Sequence, residues 1–142
     1  MSLPSTITVI DAYGDPVTVY TPQGPLYGDS TWSAQGGTGN ALLTNSPVQV
    51  ATGAHALKGW DFVNTGVSGV AWVQVFDLAA SGVVLGTTVP KLSRWVLPGG
   101  TLEQQFSPEG IAFYNAITLA ATTTPNGSGV PAVGLNANLS YL

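Results

Sequence analysis

The sequence predicts an all-β protein, a jelly-roll-like β-sandwich of about eight strands preceded by an extended N-terminal arm with a small hairpin. Three observations carry that prediction. Short runs rich in Val, Ile, Trp, Tyr, Phe and Thr recur from Pro47 onward, and such residues suit a pleated, packed surface. Clusters of Gly, Pro and Asn separate the runs at the roughly 8–12-residue spacing of sandwiches and barrels. The strongest strand signal is residues 54–78, AHALKGWDFVNTGVSGVAWVQVFDL, where two apolar runs flank the turn-forming stretch Asn64-Thr65-Gly66-Val67-Ser68-Gly69 and read as a β-hairpin with a longer loop.

Residues 7–11 (ITVID) and 17–21 (VTVYT) are short strands around a turn at Ala12-Tyr13-Gly14-Asp15-Pro16, which predicts the small hairpin. Residues 22–47 then lose all periodicity, and structureless connections longer than about 12–15 residues are uncommon inside compact domains. The chain therefore divides into an extended arm, residues 1–47, and a body, residues 48–142. Tyr13, Tyr20, Leu26, Tyr27, Trp32, Leu42 and Leu43 are sticky residues for a free linker and read as anchors of an arm that orders on a partner's surface; the alternative is an arm that folds back on its own domain.

In the body, strands are expected at 48–51, 55–63, 69–78, 83–88, 92–97, 101–106, 112–121 and 134–141. In the run from Val70 to Phe76 only Gln74 is plainly polar, so that strand should be covered on both sides, once by the facing sheet and once by a loop, an arm or another subunit. The last strand alternates cleanly, with Leu135, Ala137, Leu139 and Tyr141 inward. Ser107-Pro108-Glu109 resembles a helix cap with Pro at the first helical position and predicts a short helical turn ahead of the 112–121 strand.

Charge is scarce. Lys and Arg number 3 and Asp and Glu 7, against 44% hydrophobic residues, so charged residues stand at 7% where about 25% is usual. A surface of Thr, Ser, Asn, Gln and Gly has little charge to oppose association, which suggests contact with partner protein and a homo-oligomer, most simply a trimer; the plainer reading is a monomer with a Thr and Ser coat. A net charge of −4 with only Lys58, Lys91 and Arg94 as cations argues against nucleic acid. Nothing approaches the roughly 18 apolar residues of a membrane span, and the first residues lack a signal peptide's basic start and apolar core, so no membrane partner and synthesis in the cytoplasm are expected.

Candidate chemistry is thin. Cysteine is absent, His55 is the sole histidine, and the carboxylates Asp11, Asp15, Asp29, Asp61, Asp77, Glu103 and Glu109 are scattered, so no metal, cofactor or catalytic residue is expected. A hydrolase drawn from His55, Asp61 and a serine lacks the G-x-S-x-G elbow, and His55 reads as a strand-end residue making a local hydrogen bond. Gly36-Gly37-Thr38-Gly39 has no following Lys and is no phosphate loop. Of Trp32, Trp60, Trp72 and Trp95, two exposed on one face would offer a sugar platform, but Trp60 and Trp72 read as core.

The pieces LKGWDFVNTG, AWVQVFD, VLGTTVPKL, LPGG, GIAFYNAITLAATTT and GLNANLSYL, in this order between Leu57 and Leu142, resemble small virion proteins of tailed bacteriophages and prophages. The resemblance implies a particle component with a β-sandwich body and no catalytic residue. In its arm-plus-sandwich plan the chain is further similar to capsid decoration, or cement, proteins, which implies a structural protein on the outer capsid surface of the virion, bound to the major capsid protein and stabilising contacts between capsomers. The alternative is a head-fibre or tail-associated adhesion module binding host glycan through exposed aromatics.

Overall fold

The computed structural model describes residues 6–10, 16–20, 30–35, 41–106 and 108–142. Strands β1 (Thr6–Ile10) and β2 (Pro16–Tyr20) form an antiparallel pair running from Thr6 opposite Tyr20 to Ile10 opposite Pro16, the expected small hairpin. The other strands form a β-sandwich of two antiparallel sheets. One sheet holds β4 (Val48–Thr52), β10 (Ala116–Thr122), β6 (Ala71–Phe76) and β7 (Leu92–Val96), in that order. The second runs β3 (Ser30–Ala34), β11 (Asn136–Tyr141), β5 (His55–Val63), β8 (Thr101–Gln105), and β9 (Ile111–Phe113) pairs with β5 as well.

The core follows from alternation. Trp60 and Phe62 of β5, Ala137 and Leu139 of β11, and Ala71, Val73 and Val75 of β6 point inward and are buried, together with Ile117, Leu119 and Ala121 of β10. Trp60 anchors one region, edge-on to Phe106 with ring centres 4.9 Å apart and tilted against Phe62 at 5.5 Å. Such aromatic contacts add to the area these rings bury.

Several features differ from the expectations, each for a stated reason. The runs 55–63 and 69–78 do not form a hairpin. Both edges of β5 are filled by β11 on one side and by β8 and β9 on the other, while β6 pairs with β10 and β7, so residues 64–70 cross from one sheet to the other. The link has the same apolar flanks as a hairpin and is longer than the two to five residues of a usual hairpin loop. Residues 112–121 are not one strand either. The chain bends at Tyr114-Asn115, so β9 lies in one sheet and β10 in the other.

Residues 83–88 form no strand. Thr87 and Thr88 both donate backbone N–H groups to the Val84 carbonyl, and Val84 N–H donates to Thr88 Oγ1, which closes a local turn after the 3-10 turn Ala80–Gly82. The apolar character of the segment comes from packing: Val83 and Leu85 lie on Phe76 and Ala120 and cover the outer side of β6 and β10. No helical turn follows Phe106 among the described residues. Pro108 and Glu109 form a plain turn, and Gly110, at φ +71°, sits where a Cβ would lie 2.6 Å from the Leu57 carbonyl oxygen.

The N-terminal third also contributes to the sandwich. β3 pairs with β11 along its whole length, from Ser30 opposite Tyr141 to Ala34 opposite Ala137. Leu43 bridges Leu135 and is fully buried, and Ala34 is buried beside it in the core. The sandwich body thus begins at Ser30, ahead of the expected boundary at Pro47.

The second cover over β6 comes from the chain's own loops. Gln74, fully buried on the outer side, donates from Nε2 to Thr122 Oγ1 at 2.7 Å and to the carbonyls of Thr124 and Gly127 at 3.2 and 3.0 Å. This pins the 123–129 loop across the sheet. Trp72 lies on that outer side too, half-buried, while Trp60 is core, so the expectation that both are core holds for Trp60 alone. In urea unfolding, Trp60→Ala should lose about 3–5 kcal/mol of stability and Trp72→Ala about 1–2 kcal/mol. Equal losses would contradict this assignment of faces.

Candidate interaction surface

The crossing at 64–70 is held by one side chain. Asn64 is 2% exposed; its Oδ1 accepts the Gly66 N–H at 3.0 Å, and its Nδ2 donates to the carbonyls of Gly69 and Val96 at 3.2 Å each. Its backbone N–H donates to Gly100 O, and Gly99 N–H donates to Gly66 O at 2.9 Å. The 64–70 crossing and the β7–β8 connection at 97–100 are therefore bonded into one unit. Val133, from the long β10–β11 connection, lies where a Cβ at Gly66 would meet its side chain at 3.4 Å.

This end of the sandwich presents apolar side chains to solvent. Val67 at the tip is 98% exposed, Trp95 and Leu97 are 57% exposed, and Val70, Val130 and Val133 are exposed as well. Trp72 stands directly opposite Trp95 across β6 and β7, the rings meeting at 69° with centres 5.5 Å apart. One step further along the same antiparallel register, Val70 faces Leu97. No Asp, Glu, Lys or Arg occurs in residues 62–76, 95–102 or 110–142. The three connections that build this end carry no charge.

The opposite face of the molecule is polar. On the outer side of the five-stranded sheet, Ser33, Asn138, Asp61 and Glu103 stand in one cross-strand row, and Thr31, Ser140, Gly59 and Gln105 in the next. A shallow cavity of about 290 Å³ opens over Gly59, where the missing side chain leaves room for the Gln105 amide. Asp61 and Glu103 are directly opposed with no cation paired to them among the described residues.

His55 begins β5 with Nε2 3.1 Å from Thr52 O and Nδ1 3.3 Å from Leu142 O, and it meets Tyr141 edge-on. That is a strand-end tie between chain segments. Among the described residues no three His, Cys, Asp or Glu side chains gather as a metal site would need.

The seven expected anchors fall in different places. Tyr13, Leu26 and Tyr27 lie outside the described residues. Tyr20 closes β2 opposite Thr6. Trp32 is half-buried against the core from β3, Leu42 is half-buried beside Gly134, and Leu43 is wholly interior. These last three pack on the chain's own sandwich. The exposed residues Val67, Trp95 and Leu97, none of them among the anchors, form the apolar surface; alternation alone could have marked Trp95 and Leu97 as outward once Val96 was placed inward. No family model, curated protein or solved structure matches the chain.

The far end of the sandwich has its own lock at the β9–β10 bend. Asp77 accepts backbone N–H groups from Asn115 at 2.7 Å and Tyr114 at 2.9 Å on Oδ1, and pairs with Lys91 Nζ at 3.3 Å on Oδ2. Lys91 is also stacked over the Phe113 ring at 4.8 Å. Burial opposes the charged carboxylate, yet the N–H groups of Asn115 and Tyr114, the Lys91 ammonium and the Ala116 N–H outweigh it and lower the pKa from 3.8 to about 2. A carboxyl depressed in the folded state stabilises above its unfolded pKa and loses that contribution as pH falls through the folded value. Asp77→Asn should therefore cost about 1–2 kcal/mol at neutral pH, and the gap from wild type should close between about pH 4 and pH 2 in denaturant titrations. A gap that is constant across that range would contradict the lock.

Proposed function

We propose that the chain is a non-enzymatic structural protein of a virus particle, docked on the outside of the capsid where it strengthens contacts between capsomers. The observation that carries this reading is the exposed apolar end of the sandwich, whose three connections hold no Asp, Glu, Lys or Arg. Such surfaces mark protein contacts in monomer-sized domains. The low charge of the whole chain supports the reading, and so does the resemblance of residues 57–142 to small virion proteins of tailed phages.

In this reading the contact with the major capsid protein falls to residues 1–29, which carry Tyr13, Tyr20, Leu26 and Tyr27 ahead of the first sandwich strand. Burial of a few such side chains at about 25 cal/mol per Å² gives several kcal/mol before ordering costs. A second reading, a head-fibre or tail-associated module that binds host glycan, is favoured by one observation: Trp95 is largely exposed and braced edge-on by Trp72.

Removing residues 1–29 should leave a folded, soluble body and abolish sedimentation with capsids prepared without the protein. Removing 1–47 takes away β3 and Leu43 and should prevent cooperative folding. A body lacking 1–29 that still pellets with capsids would contradict the docking role of that segment. Copy number in purified particles separates the two readings, since a cement protein approaches the abundance of the capsid protein and a tail module is present in few copies.

A further inference from the structure

We propose that Asn126 is a site of spontaneous deamidation, and that the hydrogen bonds from Gln74 to the turn around it set its rate. The modification needs no enzyme and no partner, only water.

The chemistry is an attack from within the backbone. The main-chain nitrogen of the following residue bonds to the asparagine Cγ, the bond from Cγ to the side-chain amide nitrogen breaks, and ammonia leaves with the backbone N–H proton. The succinimide ring that results takes up one water. Opening at Cγ gives aspartate, and opening at the backbone carbonyl gives isoaspartate, which has an extra carbon in the main chain. A side chain on the following residue crowds this attack and narrows its backbone angles, so glycine there favours it. Of the asparagines in the chain, only Asn126 precedes a glycine. The others described are also better held. Asn64 is buried and bonded through both amide atoms, Asn45 and Asn115 donate to Ser128 O and Asp77 O, and Asn136 and Asn138 lie in β11. Asn126 is exposed, and its side chain makes no hydrogen bond among the described residues.

The fold restrains the reaction. Gly127 N–H donates to Thr124 O at 3.3 Å and closes the turn Thr124-Pro125-Asn126-Gly127, so the attacking nitrogen is engaged until the turn opens. Gln74, fully buried beneath it, donates from Nε2 to the carbonyls of the first and last residues of that turn, Thr124 at 3.2 Å and Gly127 at 3.0 Å. Ser93 Oγ adds a bond to Pro125 O at 2.9 Å. Opening of the turn therefore means release from Gln74, a local event that costs less than global unfolding. The product does not refit. Isoaspartate lengthens the backbone between Thr124 and Gly127, which spoils the spacing of the two carbonyls that Gln74 holds and loosens the 123–129 cover over β6. Either product places a carboxylate in residues 110–142, a stretch without Asp, Glu, Lys or Arg.

Ageing of the folded full chain at mildly alkaline pH, read by isoelectric focusing and peptide mass spectrometry, provides the test. The wild type should accumulate a more acidic form with aspartate and isoaspartate at position 126. Asn126→Gln, whose longer side chain would have to close a larger ring, should not. Gln74→Met keeps the volume and removes the donor; it should convert about tenfold faster, well below its melting temperature. Ser93→Ala, which removes only the bond to Pro125 O, should convert about twofold faster. Asp77→Ala, destabilised outside this loop, should convert at the wild-type rate. A folded wild type that gains no charge while the chain unfolded in guanidinium chloride converts overturns the proposal, as does a new charge mapped to another residue. Wild-type rates in both Gln74→Met and Ser93→Ala overturn the control by the turn. Acceleration by Asp77→Ala equal to that by Gln74→Met overturns it as well, because the reaction would then run through global unfolding.

Discussion

Asn64 sits where the chain must leave one sheet and enter the other, and the loop end depends on how that crossing is satisfied. Irregular backbone that is buried, as at Asn64 and Gly66, leaves N–H and C=O groups that no ladder can reach, and each one left unpaired costs about 1–3 kcal/mol. One amide answers for three of them, at Gly66, Gly69 and Val96, and thereby ties the crossing to the end of β7. With those groups satisfied internally, the loops need no charged or extended side chains of their own. Val67, Val70 and Leu97 are among their exposed positions.

Two other polar side chains do comparable work elsewhere. Asp77 gathers the N–H groups of the bend that sends β9 and β10 into different sheets, and its charge makes those hydrogen bonds stronger than neutral ones. Gln74 reaches out of β6 to hold the 123–129 loop over the sheet. The three residues share a role: each stands at the place where an apolar strand would otherwise be free to continue or to remain uncovered. The fold is therefore specified by a few polar groups, buried at Asn64 and Gln74 and half-buried at Asp77, set beside a core that is otherwise generic in its apolar content.

This division explains what could be read from the chain. The all-β class, the inward face of β11, and the burial of Trp60 are legible because period-two alternation and β-branched residues encode them locally. Sheet membership is not. The stretches around Asn64 and Tyr114-Asn115 carry the composition of a hairpin turn and of a continuous strand, and the hydrogen bonds that make them crossings come from Val96, Gly100 and Asp77, distant in sequence. Residues 83–88 mislead for the converse reason, since Val83 and Leu85 are apolar to cover Phe76 and not to pair. Trp32 and Leu43 look like loose anchors because their partners, β11 and Leu135, lie about a hundred residues further on. Of the interaction surface, the lack of charge is plain in the sequence, but the gathering of three loops at one end follows only from the two crossings.

The most direct test of the crossing at 64–70 uses the absence of native cysteine. In the sandwich, Val63 stands directly opposite Thr101 across β5 and β8, at a separation a disulfide can bridge. In a hairpin of residues 55–63 and 71–76, Val63 would face Ala71 instead. Mild oxidation of the Val63→Cys/Thr101→Cys and Val63→Cys/Ala71→Cys double variants, read by mass spectrometry, should give a rapid, near-complete disulfide in the first and none in the second. Closure of the Val63→Cys/Ala71→Cys pair, with the other left reduced, would contradict the inter-sheet crossing and the loop end built on it.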